Sequence, residues 1–166
     1  MEFISIDPAL ANTALVFGET EGDELRLIEY KLIQTKKEKG GTDEVVGRCE
    51  LINNNVHDYI KEKDPDYVLI ETPSGSQSFM GGVSYAVVCY LIATIKRYKE
   101  VLTTTPVGMK KHILGKNDAT KEEIIEYVGT KYPYFELPMV GTQINKSKAE
   151  HIADAVGVAE TCLNIK

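Results

Sequence analysis

MEFISIDPALA, residues 1–11, decides how the rest of the chain is read. Phe3, Ile4 and Ile6 form a short apolar run, and Asp7 follows it at once. Pro8 then ends any ladder, because it has no N–H to donate and its fixed φ turns the chain. A buried strand that delivers one carboxylate at its carboxyl end is a common way to place chemistry on a sheet. The same residues taken alone would also suit an Asp-Pro turn.

Repetition favours the first reading. In DYVLIETP, residues 66–73, Tyr67, Val68, Leu69 and Ile70 form a continuous apolar run, the pattern of a strand buried on both faces. Glu71 closes that run and Pro73 breaks it. If the two strands lie side by side, Asp7 and Glu71 share one edge of a sheet. Carboxylates held that close repel unless they bind a hard cation such as Mg²⁺ or share a proton. A metal site is therefore expected.

Composition sets the limits. With 166 residues, 43% apolar and 27% charged, residues 1–166 read as one globular domain with a sizeable core. Cys49, Cys89 and Cys162 are an odd number with no CxxC, which favours buried free thiols in a reducing compartment over disulfides. With no basic-then-apolar leader ahead of the first strand, the cytoplasm is the expected location, or the host cytoplasm for a viral source. The longest apolar stretch, 83–95, is too short and too interrupted to cross a bilayer, so no membrane partner is expected. The net charge of −6 argues against general nucleic-acid affinity but leaves room for a local basic face. Residues 94–121 hold seven basic side chains against two acidic ones, net +5, the sign a phosphate backbone requires. The competing reading is a solvated basic helix face.

In chain order, 13–17 and 25–33 read as strands joined by a hairpin connection over 18–23, and 34–42 as a charged loop. Thr42 is placed to cap a helix running to about Lys63, with Val45, Val46, Cys49, Ile52, Val56, Tyr59 and Ile60 as its apolar face. SGSQSFMGG, residues 74–82, is glycine-rich but lacks GxxxxGK[ST], so it is no P-loop. Its place directly after Glu71 makes Ser74, Gln77 and Phe79 candidates for contact with whatever the site binds. The helical stretch 83–98 is apolar nearly all round, which implies burial on every side and hence a dimer in so small a domain. Residues 101–105 form a strand closed by Pro106, and Thr120 opens a capping box, T-K-E-E, for a helix that begins at Lys121. An irregular loop, 132–145, leads to the last helix, 146–163. In KAEHIADAVGVAE, residues 148–160, His151 and Asp154 share a face at i, i+3, and Glu150 and Asp154 do so at i, i+4. An Asp between two alanines in an apolar helix is poorly explained by solubility.

Strand–Asp7, strand–Glu71 and the late helix with HIADA (151–155) together resemble the RuvC-type Holliday-junction resolvases of the RNase H-like (retroviral integrase) superfamily. ISIDPALANTA, residues 4–14, resembles the family's first hairpin, with Ala9 where a Gly often follows the Pro. The resemblance covers nearly the whole chain. It implies an α/β, RNase H-like fold: a five-stranded mixed sheet with strand two antiparallel, helices on both faces, and a homodimer over 83–98. It also implies that Asp7, Glu71, His151 and Asp154 hold two Mg²⁺ or Mn²⁺ ions, in the subtype with a His in the fourth place, where Mn²⁺ would serve better. Lys110, Lys111 and Lys121 resemble the family's DNA-contact lysines. The family's aromatic wedge follows the second acid; here only Phe79 is aromatic in that stretch, several residues late.

The expected function is metal-dependent nicking of four-way and other branched DNA by a dimer. The alternatives are a catalytically silent branched-DNA-binding dimer, or an RNase H-like nuclease acting on flaps, forks or RNA hybrids. An actin-like or sugar-kinase half is set aside, because no glycine-rich phosphate hairpin follows Asp7.

Overall fold

Alternation along the first strand organises the molecule. In the computed structural model, which describes residues 1–38, 41–73 and 79–165, β1 (Glu2–Asp7) lies at the centre of a five-stranded sheet. Ile4 and Ile6 point into one apolar layer, while Phe3 points into the other with Ser5 beside it. This is the period-two pattern of a strand covered on both faces. β2 (Asn12–Glu21) and β3 (Glu24–Gln34) run antiparallel on one side of β1. On the other side, β4 (Tyr67–Glu71) pairs parallel with β1 and β5 (Glu100–Thr104) pairs parallel with β4. The order is β3-β2-β1-β4-β5. This is the expected mixed sheet with its second strand antiparallel.

Helices cover both faces. α1 (Gly41–Lys63) and α2 (Phe79–Ile95) pack on the face that carries Ile4, Ile6, Val68 and Ile70. α3 (Pro106–Leu114), α4 (Lys121–Lys131) and α5 (Lys146–Cys162) pack on the face that carries Phe3, Val16 and Leu69. Small residues let α5 lie close to its neighbours. A Cβ added at Gly157 would stand 2.7 Å from the Met109 sulfur on α3. Alanine there would require the Met109 side chain to shift.

Several local expectations are corrected. β2 and β3 extend further than 13–17 and 25–33, and their turn shrinks to Gly22 and Asp23 because Gly22 adopts φ +64° and reverses the chain at once. α1 already begins at Gly41, so Thr42 lies within its first turn rather than before it. Only Ile52, Val56, Tyr59 and Ile60 of its apolar face are buried, and Val46, at 56% exposed, lines a groove shared with α2. α2 ends at Ile95 rather than near Tyr98, and it is not buried all round: Val88, Leu91 and Ile95 face the sheet while Tyr90 is 62% exposed. Cys89 on that outer face is exposed, and Cys49 and Cys162 are half-buried, so the thiols are free as expected but not all buried. Thr105 belongs to no strand: its side chain accepts from Gly108 N–H and caps α3, with Pro106 in the first helical position. The 132–145 loop holds a small hairpin, β6 (Met139–Val140) with β7 (Gln143–Ile144). The Thr120 capping box forms in full. Among the described residues, no helix is long and apolar enough to cross a membrane.

Candidate active site

Parity along the strands builds the site. Asp7 is two residues beyond Ser5, and Glu71 two beyond Leu69, so both acids point to the α5 face. Ile6 pairs with Ile70 across the parallel ladder, which sets Asp7 and Glu71 level at the carboxyl ends of adjacent strands. Asp7 is buried and Glu71 half-buried. α5 is then fastened over them: the buried Ser5 hydroxyl donates to the Ala155 carbonyl at 2.6 Å. That bond lies one residue beyond Asp154, and it brings the His151–Asp154 face of the helix onto the strand ends.

The four groups converge. His151 Nδ1 donates to Asp7 Oδ2 at 2.7 Å, and this bond, with the Asp7 charge behind it, raises the pKa of the imidazole. Asp154 is pushed up to about 7, first by burial and then by the Asp7 charge. Glu71 is pushed up to about 8 by burial, then by Asp7 and Asp154, with Lys110 pulling the other way. Among the described residues, Glu71 Oε2 is buried and has no hydrogen-bond partner. A buried carboxylate oxygen left unpaired costs roughly 1–3 kcal/mol, so this one destabilises the fold that holds it.

Two lysines flank the acids from different helices. Lys110 on α3 acts on Glu71, and Lys121 at the start of α4 feels Glu150, Asp154 and Asp7. Lys121 Nζ lies 2.8 Å from Glu150 Oε2, and Glu150 Oε1 lies 3.5 Å from His151 Nε2. Lys111 is exposed and forms no ion pair among the described residues. Ser74, Gln77 and the side chain of Phe79 lie outside the described residues.

Glu150 and Ser5 take part in the site although sequence reasoning gave neither a role there. Ser5 shares parity with Asp7, a signal that was readable. Glu150 owes its partner to the docking of α4 on α5, which no local pattern encodes.

The donor set suits a hard divalent cation. Carboxylates of Asp7, Glu71 and Asp154 with one imidazole are ligands for Mg²⁺ or Mn²⁺, and the orphaned Glu71 oxygen together with two raised carboxyl pKa values marks an excess of negative charge that a cation would relieve. Among the described residues, no three such side chains stand in ligating geometry as they are. The Asp7–His151 hydrogen bond pairs those two with each other instead.

Acids at the ends of two adjacent parallel strands, met by a His and an Asp from the last helix across a β3-β2-β1-β4-β5 sheet, define an RNase H-like α/β architecture. The chain belongs to the RuvC family: the family model described as Crossover junction endodeoxyribonuclease RuvC matches residues 3–162. A relative from Halothermothrix orenii, the crossover junction endodeoxyribonuclease RuvC, is 23% identical over 96% of this chain and 90% of its own length. Thermus thermophilus RuvC in complex with a Holliday junction substrate superimposes with a TM-score of 0.70 at 22% identity, covering 97% of this chain and 92% of that one. The fowlpox virus resolvase, solved with a substrate Holliday junction, has a TM-score of 0.64 at 15% identity, covering 99% and 97%. At these identities the two structures speak for the fold.

Proposed function

We infer that this chain is a metal-dependent endonuclease that resolves four-way DNA junctions by hydrolysing phosphodiester bonds. Residues 1–166 form its one nuclease domain, and Asp7, Glu71, His151 and Asp154 are its catalytic and metal-holding residues. The observation that carries this reading is the unpaired, buried Oε2 of Glu71 beside Asp7 and Asp154. Such a carboxylate costs stability, which is the mark of a group kept for chemistry.

Each side chain has a task. Asp7, Glu71 and Asp154 supply the hard oxygens that would hold two Mg²⁺ or Mn²⁺ ions, and His151 gives the softer ligand that favours Mn²⁺. Such ions, when bound, lower the pKa of water and neutralise charge on the leaving oxygen. Lys110 and Lys121 flank the acids and hold the phosphates on either side of the scissile bond. Lys111, exposed on α3, adds to the same basic face. Ser74, Gln77 and Phe79 follow Glu71 in sequence and contact the DNA near the branch.

A homodimer places two such sites on a two-fold junction, so that nicks fall symmetrically. Tyr90 on α2, 62% exposed, lines an apolar groove of about 580 Å³ shared with α1. This surface is the dimer seam. Branched DNA and a second copy are the partners, and the cytoplasm, the host's if the source is viral, is the location.

The test is cleavage of an end-labelled four-way junction, beside a flap and a plain duplex, with Mg²⁺, Mn²⁺ or EDTA. Paired nicks near the branch, lost in EDTA and in Asp7→Asn, are expected. Equal cutting of flaps or hybrids would broaden the substrate class, and binding with no metal-dependent cut would overturn the enzymatic reading.

A further inference from the structure

Glu150 joins the two halves of the site, and nothing in the reading above requires it. It sits one residue before His151 on α5, where neighbouring side chains normally diverge by about 100°. Even so, its two oxygens face two partners: Oε2 is 2.8 Å from Lys121 Nζ and Oε1 is 3.5 Å from His151 Nε2. The side chain is 18% exposed, whereas that of Lys121 is 61% exposed, so the carboxylate lies under the ammonium rather than out in solvent. On the far side of the ring, His151 Nδ1 meets Asp7. Lys121, Glu150, His151 and Asp7 thus form one continuous line from the start of α4 to the end of β1.

An imidazole that binds a metal through one nitrogen almost always gives its other N–H to a carboxylate or carbonyl, and that partner sets the tautomer and the ring angle. His151 has a carboxylate on each side, but they differ in kind. Asp7 belongs to the acid cluster with Glu71 and Asp154, whereas Glu150 is ion-paired with Lys121. We propose that, when a divalent cation displaces the Nδ1 proton now bonded to Asp7, Glu150 is a positioning residue that closes its 3.5 Å contact into a hydrogen bond from His151 Nε2–H, fixes the Nε2–H tautomer, and so presents the Nδ1 lone pair to the cation on the Asp7 side. Lys121 keeps the Glu150 carboxylate in place for this. The inference rests on the reading of Asp7, Glu71, His151 and Asp154 as the metal-holding set, and adds to it which ring nitrogen ligates and what orients it.

Two readouts test it without cleavage. In Mg²⁺-loaded protein, long-range ¹H–¹⁵N correlation spectra report the His151 tautomer, with His151→Gln used to assign its signals. Wild type shows a protonated Nε2 and an unprotonated Nδ1; Glu150→Ala shows a mixture, and Glu150→Gln, whose amide oxygen still accepts, keeps the wild-type form. Binding of Mn²⁺, read from the free-ion signal in electron paramagnetic resonance, weakens about 10–100-fold in Glu150→Ala. It stays close to wild type in Glu150→Gln. Unchanged tautomer and unchanged Mn²⁺ affinity in Glu150→Ala would overturn the proposal. Loss in Glu150→Gln equal to that in Glu150→Ala would do the same, because the ion pair with Lys121 would then be the whole effect. Asp7→Asn is the separate control: if it leaves Mn²⁺ binding intact, the metal-set reading itself fails. Melting curves of each variant in EDTA identify any that does not fold.

Discussion

Glu160 and Glu71 are both withdrawn from water at least in part, and they have opposite surroundings. Glu160, on α5, is fully buried, and both its oxygens are satisfied: Tyr132 OH donates at 2.8 Å to one, and Tyr127 OH at 2.6 Å and Lys131 Nζ at 3.0 Å to the other. Glu71, at the end of β4, has a buried oxygen with no partner among the described residues and two other acids pressing on it. The first is a complete polar network that ties α4 to α5, of the kind that specifies a fold. The second is an incomplete one, which a protein retains only where something outside the chain completes it. Burial alone does not tell these two acids apart. Their hydrogen bonding does.

If that contrast is right, the two acids respond differently to mutation. Asp7→Asn, Glu71→Gln and Asp154→Asn each lower junction cleavage by about 10²–10³-fold or more, since the electrostatic help of a bound cation is worth several kcal/mol and each 1.36 kcal/mol is tenfold in rate. Single-turnover gels read this, and each variant keeps its metal-free melting temperature or exceeds it. Glu160→Ala does the reverse: it strands Lys131 and two tyrosine hydroxyls and costs about 3 kcal/mol. The melting temperature then falls by roughly 6–12 °C while cleavage per folded molecule persists. A Glu160 variant that melts normally and fails to cut would erase the distinction.

The pH dependence of stability in EDTA sharpens it. Folded Glu71 is pushed up to about 8 and Asp154 to about 7, above the usual carboxylate range of the unfolded chain. Between those limits the folded state holds more protons than the unfolded one, so stability falls as pH rises. The stabilisation is complete below about 4 and gone above about 8, with a slope on the order of 1 kcal/mol per pH unit. Urea midpoints from pH 5 to 8 follow this decline, and Glu71→Gln flattens it. The smallest effects belong to the lysines: Lys110→Ala and Lys121→Ala each reduce the salt dependence of junction binding by about one phosphate contact.

The parts of this design that lie on single strands and helices are legible in the sequence. Pro8 and Pro73 mark where two apolar runs stop, and therefore which acids stand at strand ends. The spacing of His151 and Asp154 puts them on one helix face, and the T-K-E-E box fixes the start of α4. What was not legible depends on docking or on very short elements. The charge of residues 106–114 hides the helix they form, and Thr105-Pro106, which has the pattern of a strand end, is the start of α3. β6 and β7, two residues each, are too short for any period to show. The outward face of α2 is as apolar as its inward face, so the sequence could not say that Tyr90 is exposed. The ion pair of Lys121 with Glu150 joins residues 29 apart and exists only because α4 packs on α5.

The most direct measurement is the melting temperature of wild type and Glu71→Gln at pH 8, in EDTA and in Mn²⁺. A frustrated acid predicts that Glu71→Gln melts higher than wild type in EDTA, and that Mn²⁺ raises wild type but not the variant. Should Glu71→Gln melt lower in EDTA while Mn²⁺ leaves wild type unmoved, Glu71 would be a structural acid, and the site would not be a metal centre.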